Sequence, residues 1–214
     1  MRDEYYSHFI SKFGEKTFIQ HPTSETIAEW RGTLPDQLLT YWEEEGWGAF
    51  ADGLFWIVDP KEYENIKDEW LAGTVLEKAD KFHVIARSAF GKLFLWGEKT
   101  GPSATILPYA NSISTLPKDL KRSISDPDEE VRMFFGFTKK EYCDLKDIKK
   151  QPLFLRALKK LGALSRDEIY GFEPALILGG DMSITNLSKV NIDAHLTILH
   201  ELADPTLPFS QLDF

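Results

Sequence analysis

Residues 82–97 read FHVIARSAFGKLFLWG: two apolar, β-prone runs on either side of the short link Ser88-Ala89-Phe90-Gly91-Lys92. That arrangement is a hairpin signal. Upstream, GLFWIVDP at 53–60 is a continuous apolar run ended by Asp59-Pro60, which reads as a buried strand. SATILPY at 103–109 supplies a further strand. Strands joined by short links pair antiparallel, so this part of the chain is constrained to a largely antiparallel sheet. Rings are dense here: Trp42, Trp47, Phe50, Phe55, Trp56, Phe90, Phe94 and Trp96. Large rings favour burial and read as core, and any left at the surface would anchor a protein partner.

Helices come first along the chain. Tyr6, Phe9, Ile10 and Phe13 recur at i, i+3, i+4, i+7, which predicts a helix over 3–13 stopped by Gly14. Thr17-Phe18-Ile19 is a short apolar stretch before Pro22. In LPDQLLTYWEEEGWG, 34–48, Pro35 suits a first turn, Leu38, Leu39 and Trp42 share a face, and Gly46 is a natural stop. Residues 61–71 read as a helix through Tyr63, Ile66 and Trp70. Gly101, Pro102, Pro108 and Pro117 mark loops between 100 and 125, and the chain beyond is more helical. Asp126-Pro127 opens one helix, Pro152 to Gly162 frames a second, and 190–204 carries a third. The expected fold is α+β: an antiparallel sheet with flanking helices over 1–108, then a smaller, mainly helical domain over 109–214.

Of the 214 residues 43% are hydrophobic, enough for a real core. The net charge is −9, and residues 1–100 hold 11 basic against 18 acidic side chains, a net of −7. Such a field repels phosphate backbones and attracts a basic protein. Glu43-Glu44-Glu45 sits at a helix C-terminus, where the macrodipole disfavours negative charge, so it is either a solvated end or a feature kept for a partner. No apolar run approaches the ~20 residues that span a bilayer. The polar N-terminus and the single Cys143 point to the cytoplasm.

Signatures of chemistry are sparse. Ser165-Arg166-Asp167-Glu168 has the spacing of a capping box, which predicts a capped turn ended by Gly171 and accounts for Glu168 without catalysis. Gly179-Gly180 lacks the pattern of a phosphate loop and is followed by Asp181, whose charge would repel phosphate. His195 and His200 are five apart, whereas zinc ligands on one helix prefer four. Cys143 has no CxxC partner and there is no GxSxG elbow. In the lysine-rich stretch 139–160, Glu141, Asp144 and Asp147 are interleaved, which reads as a mixed solvated surface. No catalytic residue, metal ligand or cofactor site is assigned.

Two stretches carry a resemblance. LPDQLLTYWEEEGWGAFADGLFWIVDPKEYENI, with FHVIARSAFGKLFLWG, resembles the GAD-like domain of bacterial proteins and the wider SUKH pattern of helix, GWG turn and buried strand. The stretch from LFLRALKKLG to ILHELAD looks like the domain that follows it in immunity proteins of type VI secretion DNase systems, its most specific part being DEIYGF, PAL and LGG. The resemblance implies a cytoplasmic antitoxin, not an enzyme, that binds a nuclease toxin without touching nucleic acid or membrane. An acidic inhibitor would be steered to the basic cleft of a nuclease. The residues expected to contact it, chosen on charge and ring content, are Glu43, Glu44, Glu45, Trp47 and Asp52, then Glu173 and Asp181 beside the glycines. A nucleotide- or tRNA-associated enzyme or adaptor is the alternative, and it calls for a deep polar pocket with clustered ionisable groups. A regulatory scaffold with an endogenous partner is a third.

Overall fold

A computed structural model describes residues 2–209. Helix α1 (Glu4–Phe13) is capped by Asp3, whose side chain accepts the Tyr6 N–H. Strand β1 (Phe18–Gln20), α2 (Ser24–Trp30) and α3 (Asp36–Glu45) follow. The chain then builds six more strands: β2 (Trp47–Phe50), β3 (Phe55–Ile57), β4 (Phe82–Ser88), β5 (Leu93–Gly97), β6 (Gly101–Leu107) and β7 (Ser112–Thr115). Helices α4 (Glu64–Leu71) and α5 (Val75–Ala79) lie between β3 and β4. The seven strands form one antiparallel sheet in sequential order, a meander. Expectation and structure agree on this α+β architecture, and β7 adds a strand where the sequence suggested only loops.

Each sheet face is covered by helices, which is why these strands need no polar alternation. Along β3, Phe55 and Ile57 point to one apolar cluster and Trp56 to the other. The first cluster receives Tyr6, Phe9 and Phe13 of α1, Leu38, Leu39 and Trp42 of α3, and Val131 and Phe135 of α7 (Pro127–Phe137). The second receives Ile66 and Trp70 of α4 together with Leu196 and Leu199 of α10 (Ile192–Leu202). So the C-terminal part contributes a helix to both sides of the N-terminal sheet, and the two parts share both cores.

The remainder is α6 (Pro117–Lys121), α8 (Lys140–Cys143), α9 (Phe154–Leu161) and a separate hairpin of β8 (Glu168–Phe172) and β9 (Leu187–Asn191). The box at Ser165 caps a turn, as expected, but the turn ends at Glu168 rather than Gly171 and passes straight into a strand. The Glu168 carboxylate accepts the Ser165 N–H at 2.8 Å, and the turn delivers β8, where Ile169, Tyr170 and Phe172 are all buried. Burial of neighbouring large side chains on opposite faces favours the strand over a helix that would expose one of them. Tyr170 N–H donates to the Ala89 carbonyl at 2.8 Å and stitches this hairpin to the β4–β5 link.

Candidate functional site

In the β2–β3 turn, four residues, Ala51 to Leu54, separate the last strand pair Phe50–Phe55. Ala51 (φ 49°), Asp52 (φ 58°, ψ 27°) and Gly53 (φ 94°) all have positive φ, and the Ala51 carbonyl accepts the Leu54 N–H at 3.1 Å. This presents the Asp52 carboxylate to solvent at the tip of the hairpin. Facing it are α8, the start of α9 and the segment between them. Together they enclose an open cleft of about 230 Å³ whose lining includes Ala51, Asp52 and Leu54 on one side and Lys140, Lys146, Pro152 and Leu155 on the other.

The segment between α8 and α9 is a small loop-back held by two inward carboxylates. Asp144 Oδ1 accepts the N–H groups of Leu145 (2.7 Å) and Phe154 (2.9 Å), which fixes where α9 begins, two residues past the Pro152 start expected from sequence. Burial pushes the Asp144 carboxyl up, and these backbone N–H groups oppose that rise. Asp147 Oδ1 accepts from the N–H groups of Lys149 and Gln151, both at 2.9 Å, and its Oδ2 takes a 2.6 Å bond from Arg156. The Arg156 bond, followed by the backbone donors, lowers its pKa. The acids expected to dilute the lysines are therefore turned inward, and Glu141 is left as the exposed carboxylate of this stretch. Beside it stand exposed Tyr142, Ile148 and Leu155.

The seven residues singled out from sequence do not form one site. Glu43 and Glu44 lie with Asp36 on the exposed side of α3, and Glu43 reaches Arg31 at 3.3 Å. Glu45 turns the other way: Arg2 Nε donates to its Oε1 at 2.6 Å and Lys16 Nζ to its Oε2 at 2.7 Å. Burial alone would raise this carboxyl, but the two cationic donors outweigh it and hold the pKa down to about 2. Trp47 is 5% exposed and packs edge-to-face on Trp42 with centroids 5.5 Å apart, so its ring is core and not an anchor. The same holds for Trp56 and Trp96, because helices cover both sheet faces. Glu173 and Asp181 are exposed on the loop between β8 and β9. There, the Met182 carbonyl accepts the Ile148 N–H at 3.1 Å, which brings this loop against the tip of the α8–α9 segment. The two glycines have different causes: Gly179 has φ 85°, and a Cβ on Gly180 would sit 2.0 Å from the Pro174 carbonyl oxygen.

Glu62, Tyr63, Arg166, Asp167, Asn191 and Asp193 line another open cleft. Its arginine is tied to Glu62 and Gln20. Below it Arg87 is wholly buried, stacked 4.3 Å from the Trp56 ring, and donates to the Arg166 carbonyl at 2.8 Å. The two arginines are thus committed to structure. Burial pushes the Cys143 thiol up to about 12, away from nucleophilic chemistry. Among the described residues no three His, Cys, Asp or Glu side chains gather as a metal site, and no helix is long and apolar enough to cross a membrane.

The GAD-like domain family model matches residues 4–110, which spans α1 through β6. The chain belongs to the GAD-like domain family. In this GAD-like protein, residues 128–203 match a second family model, the C-terminal domain of the T6SS immunity protein Tdi1, which supports an immunity role and a protein partner. The cleft beside Asp52 lies where the two matched segments meet. A solved structure, that of Atu4351 from Agrobacterium tumefaciens, superposes with a TM-score of 0.83 at 24% identity, covering 94% of this chain and 91% of that one. This shows a shared fold. None of the curated proteins matches the chain.

Proposed function

We propose that this GAD-like protein is an immunity protein that binds a cognate type VI nuclease effector in the bacterial cytoplasm and blocks it by contact, with no turnover of its own. The observation that carries the reading is the match of 128–203 to a T6SS immunity domain, joined to a GAD-like segment. In the division of labour we propose, the units are 1–108 and 109–214, docked through their common cores.

The surface supports the same reading. Asp36, Glu43 and Glu44 form an exposed acidic stripe along α3, suited to steer a protein whose cleft is built to hold a polyanion. Glu173, Asp181 and Asp52 remain available on loops, whereas Glu45 and Trp47 serve the fold. The test is co-expression with the product of the adjacent gene. Rescue from its toxicity, with co-purification of both chains, is the expected result. A pull-down that recovers nucleic acid alone would sink the reading.

A further inference from the structure

The stretch 139–160 carries exposed Lys139, Lys140, Lys146, Lys149, Lys150, Lys159 and Lys160, with Glu141 as its exposed carboxylate. Asp144 and Asp147 are spent on backbone N–H groups and on Arg156, as described above. In a chain of net charge −9 this is a local reversal of sign. Aliphatic side chains stand among the lysines: Ile148 is 70% exposed and Leu155 is 68% exposed. Leu155 and Lys159 are four apart on α9 and so share a face. The adjoining cleft has an apolar floor of Leu54, Pro152 and Phe154.

We propose that this face and its cleft dock an acidic protein segment bearing large apolar side chains, supplied by the effector. The proposal rests on the immunity reading and deepens it by naming the chemistry of one partner segment. The charge complementarity is on the surface around the cleft. The cleft itself is lined by Lys140 and Lys146 as well as Asp52, Glu141 and Asp144, and the exposed Lys139, Lys149, Lys150 and Lys159 beyond it make the face basic. Carboxylates on the incoming segment pair with these lysines while its apolar side chains meet Leu155 and Ile148. Nucleic acid fits less well. Aliphatic side chains offer no plane for base stacking, and the acidic stripe on α3 opposes a long polyanion. The effector is thus held by two faces of opposite sign, with its basic surface toward α3 and an acidic segment here.

The experiment uses the full chain and the purified product of the adjacent gene, with Kd measured by calorimetry. Ile148→Glu and Leu155→Glu change solvent-facing positions, so circular dichroism and urea midpoints should match the parent. Each should raise Kd roughly tenfold or more. The pair Lys146→Glu and Lys150→Glu should slow association and flatten its salt dependence. Val75→Glu, on α5 and 57% exposed, is the matched control and should bind like the parent. If the parent binds and the variants bind within twofold of it, the docking face is wrong and the immunity reading stands. If the parent neither binds nor protects, both fall. Duplex DNA bound at physiological salt and released by the lysine variants would give the face to nucleic acid and overturn the proposal.

Discussion

Two acidic runs meet opposite fates in this molecule. On α3, Glu43 and Glu44 stay in solvent at the end of the helix, and Glu45 is drawn into a cluster with Arg2 and Lys16. Between α8 and α9, Asp144 and Asp147 turn inward, Asp147 buried and Asp144 half-buried, because each organises a turn through backbone N–H groups. Charges interleaved along 139–147 therefore separate in space, with the lysines and Glu141 outside and Asp144 and Asp147 turned inward. Short acids next to backbone that lacks helix or strand partners act as local acceptors, and long basic side chains reach water regardless.

The largest effect should come from the ring that underlies both regions. Phe135 of α7 lies with its centroid 5.4 Å from each of Tyr6, Phe9 and Tyr41. Phe135→Ala should cost about 3–5 kcal/mol and unfold the acidic and basic faces in one transition, seen as coincident urea curves by fluorescence and circular dichroism. Separate transitions would show the two regions to be independent.

Next in size, Asp147→Ala should lower the urea midpoint more than any exposed acid does and loosen amide exchange at Lys149 and Gln151. If Glu44→Ala costs as much, the contrast between inward and outward acids is wrong. Glu45 sharpens the same point through pH. Its folded pKa of about 2 is depressed, so its stabilisation is complete above the unfolded value near ~4.5 and is lost as pH falls toward 2. Glu45→Gln should destabilise by about 1–3 kcal/mol at neutral pH and by much less near pH 2 in urea titrations. A pH-independent difference would refute the ion-pair account.

The smallest effect on stability is expected on α3. Glu43→Lys with Glu44→Lys should move the unfolding free energy by no more than about 0.5 kcal/mol, because both side chains face solvent. The association rate with the effector should nonetheless drop several-fold and lose salt sensitivity. An unchanged rate would remove α3 from the encounter surface.

Much of the framework was legible from local signals. Asp126 caps α7, Pro127 starts it, and Gly14, Gly46 and Gly162 close α1, α3 and α9 as their positions suggest, while Asp3, which reads as the first helical residue, is the cap of α1. The β4–β5 hairpin turns within its Ser-Ala-Phe-Gly-Lys link. The β2–β3 hairpin was not legible: Gly53 reads as the start of the buried strand, whereas it lies in the turn before β3. What escaped depends on tertiary context. The four-residue β7 lies among turn formers and exists because β6 pairs with it. Helix α2 has only Ile27 and Trp30 buried, too few for a periodic signal. Ser165 and Glu168 form their mutual bond in a turn before a strand as readily as before a helix. At the candidate site, Asp52 and the lysines were visible as residue types. The withdrawal of Asp144, Asp147, Glu45 and Trp47 required knowing where the chain folds back.

Helix α3 has no capping side chain of its own. Its first turn is completed by Asp128 of α7, whose Oδ1 accepts the Gln37 N–H at 2.8 Å, while Lys12 of α1 holds the far end of α7 through the carbonyls of Gly136 and Thr138 at 2.6 and 2.7 Å. Each part of the chain thus finishes an element belonging to the other. Splicing this N-terminal part to an unrelated tail would leave a helix end bare and an aromatic core open to water, so a chain cut between the two matched segments is expected to lose the order of both.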